Sequence, residues 1–136
     1  MARPKRLEYV VTASEGLLLA DGEGPLEPGE AWTPEHLALA GLARCTLTSL
    51  DHHAGRAGIS VKASASAAGA VTKRESDGRY AFVELDVTVE AELEPEPPEP
   101  ELSDLLAKAE RDCFVGASLT EPPRYRWRVN GRDYSY

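Results

Sequence analysis

The stretch that decides the fold is TPEHLALAGLARCTLTSLDHHA, residues 33–54. Thr33 is typical of a helix N-cap, and the Pro-Glu pair that follows it is typical of a first helical turn. Gly55 lies two residues after His53, and a glycine just past the last helical residues is a common helix end. Between these ends, apolar residues cover most of the circumference, which is typical of a buried helix. The stretch therefore predicts one buried helix about 30 Å long, with Cys45 near its middle.

Composition and charge limit the classes of protein to which the chain can belong. The 136 residues are 42% hydrophobic, which suits a single domain over residues 1–136 with a real core. The sequence contains no apolar run of about 18 residues that would predict a membrane span. The N-terminal MARPKRLEYV lacks the apolar segment of a secretory signal, so we expect a cytoplasmic protein. The net charge of -8 argues against nucleic-acid binding.

Periodic patterns predict five strands and two helices along the chain. The predicted strands cover residues 6–12, 17–20, 59–72, 81–93 and 124–129. The helix over residues 33–54 follows the second strand, and a second helix from residue 102 or 103 to about 118 follows the fourth. Residues 21–30 and 94–101 are rich in Gly and Pro and are typical of loops, and Asn130-Gly131 predicts a turn before a short tail.

The order β-β-α-β-β-α-β favours an α+β fold with a mostly antiparallel sheet, in which the third and fourth strands form a long hairpin. Two central helices, each with a cysteine, pack against that sheet. A helix as apolar as residues 33–54 is difficult to bury in one small layer of sheet and helix. Two chains that share their helices would solve this problem.

The sequence has two cysteines, Cys45 and Cys113, one in each predicted helix. Two cysteines in a cytosolic chain are neither a disulfide scaffold nor a complete zinc site. Two interpretations stay open. The thiols are buried and inert, or they form a redox pair in which a peroxide oxidises one thiolate to a sulfenic acid and the other thiol condenses with it. The redox pair requires that the cysteines meet and that a neighbour lowers the pKa of one thiol.

Neither the histidines nor Glu35 of the same helix can reach Cys45 within one chain. His52 lies seven residues later, about 10 Å along the axis, so a cysteine-histidine nucleophile of the protease type is not supported. His52 and His53 suit the polar C-terminal end of a helix, where a positive charge favours the dipole. Glu35 lies about 15 Å from Cys45 along the helix. It could reach the thiol only from a neighbouring helix, such as that of a second subunit.

The segments TPEHLALAGLARCT (33–46) and AERDCFVGASL (109–119) together resemble the OsmC/Ohr family of osmotically inducible and organic-hydroperoxide-resistance proteins. The family motif has Pro-Glu at the helix start, small residues, a cysteine ten residues after the Glu, and a second cysteine four residues after an Ala. The matching positions are Glu35, Cys45, Ala109 and Cys113. The predicted strand order and the long hairpin between the two segments also fit.

The resemblance implies an OsmC/Ohr-like intertwined homodimer with the cysteine-bearing helices at its centre. It implies a thiol peroxidase that reduces organic hydroperoxides in defence against oxidative stress. In that enzyme Cys45 would be the reactive thiol, Cys113 the resolving thiol and Glu35 an active-site acid. The resemblance implies no metal and no bound cofactor. The reductant would be an external dithiol, of lipoyl type in the organic-hydroperoxide branch.

The chain departs from the family at one position of the site. In better-characterised members an arginine from the N-terminal region meets the reactive thiolate, whereas residues 7–43 contain no arginine. Arg44, Arg111 and Arg6 are the remaining candidates. Arg44 is next to Cys45 in sequence, but adjacent helical residues point about 100° apart. The alternative function is a non-enzymatic OsmC-like dimer with buried structural thiols that binds a small apolar ligand.

Overall fold

The computed structural model describes residues 4–134 and has the α+β architecture predicted from the sequence. Arg3 and the predicted end of the tail at residues 135–136 lie outside the described residues. The described residues form two compact units, one up to His36 and one from Leu37 onward, and each is described by itself. That residues 1–136 make one domain stays a prediction.

The first unit contains a three-stranded antiparallel sheet in the order β1-β2-β3. Its strands are β1 (Val11–Ser14), β2 (Leu17–Ala20) and β3 (Glu23–Leu26). The prediction for residues 17–20 is confirmed. The strand predicted over residues 6–12 is confirmed only at Val11 and Thr12, and β1 continues to Ser14. β2 turns away at Asp21 and Gly22, which have φ of 52° and 80°, so the ladder with β1 begins at Val11. The predicted loop over residues 21–30 contains β3, since the same tight turn folds it back onto β2.

Helix α1 (Pro34–Arg56) begins as predicted, with Thr33 as its N-cap. The His36 N–H donates to Thr33 Oγ1 at 3.3 Å, and the Thr33 N–H donates to His36 Nδ1 at 3.3 Å. This reciprocal pair is a capping box in which histidine takes the place of glutamate. The residues at the start of the helix were therefore sufficient to predict where it begins.

The end of α1 predicted at Gly55 is wrong. The helix continues through Gly55, and the residue with positive φ is Gly58, at 72°. The Ile59 N–H donates to Ala54 O at 2.9 Å and the Gly58 N–H to Gly55 O at 3.1 Å. These two bonds form a Schellman motif, in which a glycine takes up the left-handed conformation just past the helix.

The second unit contains a four-stranded sheet in the order β4-β5-β6-β7. Its strands are β4 (Ser60–Lys73), β5 (Tyr80–Glu94), β6 (Arg124–Val129) and β7 (Arg132–Tyr134). The long antiparallel hairpin of β4 and β5 is confirmed, whereas β6 pairs parallel to β5. Asn130 and Gly131 form the predicted turn, with φ of 48° and 80°, but β7 follows it in place of the predicted tail. A turn of this type folds the chain directly back into a hairpin.

The second predicted helix is divided in two by Cys113. The segments are α2 (Glu101–Arg111) and α3 (Phe114–Ser118), and between them Cys113 has the extended conformation, with φ of −77° and ψ of 102°. No proline or glycine occupies the break, so the uninterrupted helix predicted to about residue 118 is wrong for a tertiary reason. The packing of Cys113 against α1 overrides local helix propensity.

One hydrophobic core joins the sheet to α1 and α2 in the second unit. Strand β5 contributes alternate residues to it, as the sequence predicted, and one stripe of α1 is fully buried. The largest fully buried side chains are Leu42, Leu50, Leu85, Val87, Val89, Leu102, Leu106 and Val129. Other apolar residues of α1, including Leu39, Cys45 and Leu47, are only partly buried. None of the helices over residues 4–134 has the length and apolar character needed to cross a membrane.

Candidate active site

The fold brings Cys45, in the middle of α1, to the break between α2 and α3 that holds Cys113. The Val115 N–H donates to Cys45 Sγ at 3.5 Å, and the two cysteine side chains interact with each other. Both are free thiols. Two residues that lie 68 positions apart in the sequence therefore share one site.

Two polar side chains on α1 hold the end of α2 in place. Ser49 Oγ donates to Ala109 O at 2.8 Å in a buried position. One helical turn later, His53 Nε2 lies 2.7 Å from Asp112 Oδ2. These contacts hold Ala109, in the last turn of α2, and Asp112, its C-cap, and so position Cys113, the next residue. The sequence suggested only a polar helix end for His53.

Electrostatics at the site do not favour a thiolate at Cys45. Burial raises the pKa of the Cys45 thiol above its ordinary value, and the neighbouring Cys113 raises it further. The Val115 N–H acts in the opposite direction because it donates to the sulfur. In the single chain, then, the thiolate is stabilised by backbone N–H groups rather than by a positive side chain.

The candidate arginines are engaged elsewhere or exposed. Arg111 donates two hydrogen bonds of 2.9 Å to Asp112 and, with His53, lowers the pKa of that carboxyl to about 2. Arg44 is exposed to solvent. Among the residues that the structure describes, no arginine is one of the main influences on the pKa of Cys45. The role of Arg44 in activating the thiolate stays a prediction.

Two of the predicted residues, Glu35 and Arg6, belong to the first compact unit. Glu35 is exposed in the first turn of α1, ten residues before Cys45. Arg6 is exposed and pairs with Glu8 at 2.8 Å. Within one copy of α1 the carboxylate and the thiol are about 15 Å apart along the axis. The role of Glu35 as an active-site acid also stays a prediction.

Cys113 is fully buried, and the side chains around it were not predicted from the sequence. Its sulfur lies 3.5 Å from Thr46 Oγ1. The Tyr125 hydroxyl, on β6, lies close to this sulfur, because a Cβ atom at Gly116 would be 2.8 Å from the hydroxyl and 3.4 Å from Cys113 Sγ. In β6, Tyr125 lies on the same face as the buried Trp127 and Val129, but no feature of the sequence indicates that its hydroxyl lies close to the second thiol.

A small cavity of about 290 Å³ opens beside Cys45, between α1 and the junction of α2 with α3. Its lining residues are Cys45, Thr48, Ser49, His52, His53, Asp112 and Phe114. Phe114 at its rim is 60% exposed. The cavity gives a small organic molecule access to one thiol and not to the other. Within residues 4–134, no group of three or more His, Cys, Asp or Glu side chains is arranged to hold a metal ion.

The fold is shared with solved structures of OsmC and Ohr proteins. An OsmC-like protein of unknown function from Vibrio cholerae superposes with a TM-score of 0.72 at 14% identity, over 91% of this chain and 99% of that one. An OsmC-like protein from Mycoplasma pneumoniae gives 0.71 at 17% identity, over 93% and 99%. The organic hydroperoxide resistance protein OhrB of Bacillus subtilis gives 0.60 at 19% identity, over 88% and 96%.

In sequence, the chain matches a protein family but no individual curated protein. No curated protein is detectably similar to the chain in sequence. The OsmC-like protein family, in contrast, matches residues 27–128, a range that includes α1, the β4–β5 hairpin and both cysteines. The chain therefore belongs to the OsmC-like protein family.

Proposed function

We propose that the protein is a thiol peroxidase that reduces organic hydroperoxides, with Cys45 as the reactive thiol and Cys113 as the resolving thiol. The observation that carries this proposal is the meeting of two free thiols beside a small cavity. Structural thiols do not require a partner thiol or access from solvent. A peroxidase that forms a disulfide requires both.

The chemistry would proceed in two steps at these sulfurs. The Cys45 thiolate attacks the terminal oxygen of the hydroperoxide, so that an S–O bond forms, the O–O bond breaks, and the alkoxide takes a proton to leave as an alcohol. Cys113 then attacks the sulfenic acid on Cys45, so that an S–S bond forms and water leaves. An external dithiol returns the disulfide to two thiols by exchange.

The order of the two cysteines follows from their exposure. Cys45 is half-buried and lines the cavity, whereas Cys113 has no exposed surface. A hydroperoxide that enters the cavity meets Cys45 first. Cys113 can react only with what has formed on its neighbour, which is the role of a resolving thiol.

Partners are inferred from the family and from surfaces that one chain leaves uncovered. Leu37 and Leu39 on α1 and Val61 on β4 are only partly buried in the single chain. A homodimer would bury these residues, and the Glu35 that serves one site would then come from the α1 helix of the other subunit. The reductant would be a dithiol of lipoyl type. The cellular role would be defence against oxidative stress in the cytoplasm. One protein that shares the fold, OhrB of Bacillus subtilis, is an organic hydroperoxide resistance protein.

A second function has one observation in its favour. Burial raises the pKa of Cys45, and no arginine of the described chain offsets this effect. Those features suit a non-enzymatic dimer with structural thiols, in which the cavity holds a small apolar ligand. The two functions differ in whether Cys45 reacts with a hydroperoxide.

The test is consumption of an alkyl hydroperoxide by the purified protein with a dithiol reductant. We expect Cys45→Ser to lower the turnover number by about a thousandfold or more, because the nucleophile is removed. Thermal unfolding of the variant serves as the folding control. Unchanged turnover in Cys45→Ser, or no turnover in the wild type, would reject the peroxidase and leave the ligand-binding dimer.

A further inference from the structure

The polar groups behind Cys113 have no part in the mechanism so far. Cys113 lies on the inner side of the site, away from the cavity, and is fully buried. A buried thiol becomes a nucleophile only when something stabilises the charge on its sulfur, since desolvation disfavours the thiolate. The neighbours of that sulfur therefore decide whether it can resolve a sulfenic acid.

Thr46 stabilises the protonated form of Cys113. Thr46 Oγ1 donates its hydrogen to Leu42 O at 3.0 Å. Since a hydroxyl has one hydrogen, Thr46 can only accept in its 3.5 Å contact with Cys113 Sγ, and the thiol is the donor there. Thr46 alone would hold Cys113 as a thiol.

Tyr125 is the neighbour that can donate to this sulfur. Its ring lies on the inward face of β6, on the side of the buried Trp127 and Val129, and its hydroxyl approaches Cys113 Sγ beside Gly116. Burial, followed by the charge of Cys113, raises the pKa of the Tyr125 phenol. The phenol therefore keeps its proton where thiols ionise, and it acts as a donor rather than as a competing acid.

Gly116 makes room for this arrangement. A Cβ atom at Gly116 would lie 2.8 Å from the Tyr125 hydroxyl and 3.4 Å from Cys113 Sγ. The hydroxyl and the sulfur thus approach the same point on α3, and any larger residue would displace the hydroxyl. Because Gly116 has no side chain, the Tyr125 hydroxyl and Cys113 Sγ can both approach this buried position.

We propose that Tyr125 is the catalytic hydrogen-bond donor to Cys113, which stabilises the charge on its sulfur while it attacks the oxidised Cys45. This inference rests on the proposed function for its biological meaning. In the resolving step the Cys113–Cys45 S–S bond forms and the S–O bond of the sulfenic acid breaks. The proton lost by Cys113 combines with the departing hydroxide to give water, and Tyr125 retains its own proton throughout.

The test follows the two thiols separately with dithiodipyridine, which needs no hydroperoxide. The half-buried thiol of Cys45, which lines the cavity, reacts first, forms a mixed disulfide and releases one thiopyridone. Cys113 then attacks Cys45, forms the Cys45–Cys113 disulfide and releases a second. We expect Tyr125→Phe to leave the first release unchanged and to slow the second by about tenfold to a hundredfold, the range for losing a hydrogen bond to a charged group.

Tyr134→Phe is the matched control, because it removes the hydroxyl of another partly buried tyrosine on the neighbouring strand β7. Both releases should keep their wild-type rates in that variant. Gly116→Ala keeps the Tyr125 hydroxyl but displaces it, and should also slow the second release. A second release at the wild-type rate in Tyr125→Phe would overturn the inference. If Tyr125→Phe slows it while the wild type consumes no hydroperoxide, the inference stands and the peroxidase proposal fails.

Discussion

The surroundings of Cys45 and Cys113 differ in almost every physical respect. Cys45 lies within a regular helix, is half-buried, and lines a cavity of about 290 Å³. Cys113 lies at a helix break and is fully buried beside two hydroxyl groups. The comparison shows that one thiol can be reached from outside and the other cannot. Cys45 lines the cavity, whereas Cys113 is enclosed, with the proposed donor Tyr125 beside it.

The division of roles can be tested most directly by Cys113→Ser. After oxidation by one equivalent of hydroperoxide, the wild type should lose the mass of two hydrogens, whereas the variant should gain one oxygen at Cys45 and form no intramolecular disulfide. The reason is that the sulfenic acid has lost its neighbouring thiol. Intact-mass spectrometry measures both products. A wild type that gains oxygen on Cys45 while Cys113 stays reduced would contradict the role of Cys113.

The pH dependence of Cys45 should show the cost of its burial. In Cys113→Ser, where Cys45 is the remaining thiol, we expect the alkylation rate by iodoacetamide to rise with pH, with a midpoint above the ordinary value of about 8.5. The direction follows because burial disfavours the thiolate. Because the pKa of Cys45 is higher in the folded than in the unfolded chain, its contribution to folding stability is fully present at a pH below the unfolded-chain pKa. That contribution is lost as the pH rises through the folded-chain pKa.

Thermal unfolding at rising alkaline pH provides the matching measurement. Wild-type stability should fall more steeply there than that of Cys45→Ser. If the alkylation rate of Cys45 instead had its pH midpoint well below about 8.5, the prediction would be contradicted. Such a midpoint would indicate that a positive charge reaches Cys45 from outside the single chain, as it could in a homodimer.

The smallest expected effect concerns the contact that positions Cys113. Asp112→Asn removes the charge that binds Arg111 and His53, and the pKa of about 2 means that this carboxylate stabilises the folded state. Since the Asp112 side chain is 36% exposed, screening limits the loss in unfolding free energy at neutral pH to about 1 kcal/mol or less. The contribution is present above the unfolded pKa of about 3.9 and disappears as the pH falls toward 2.

Denaturant unfolding at two pH values measures this difference. Asp133→Asn is a suitable control, since Asp133 is also bound by an arginine, at 3.3 Å, but lies on β7. The destabilisation by Asp112→Asn should vanish at the lower pH. A difference that persists there would mean that the asparagine disturbs packing rather than charge.

The elements of the fold that were predicted correctly are those set by residues close together in the sequence. The start of α1 and the β4–β5 hairpin were predicted because capping residues and alternation act over a few positions. The late end of α1 was missed because Gly55 and Gly58 are both possible helix ends in sequence, and only the positive φ of Gly58 distinguishes them. The short strand β3 was missed because its pairing depends on the tight turn at Asp21 and Gly22. The predicted single helix over residues 102–118 failed because its break is made by packing.

The sequence by itself determined the α+β class, the family and the two cysteines on which any function must rest. These follow from periodicity, capping and motif spacing, which are properties of neighbouring residues. Only the tertiary structure decided that Cys45 faces a cavity, that Cys113 is buried, and that Thr46 and Tyr125 surround it. Residues from α1, the α2–α3 break and β6 meet there because the common core brings them together, and no local pattern records such a meeting.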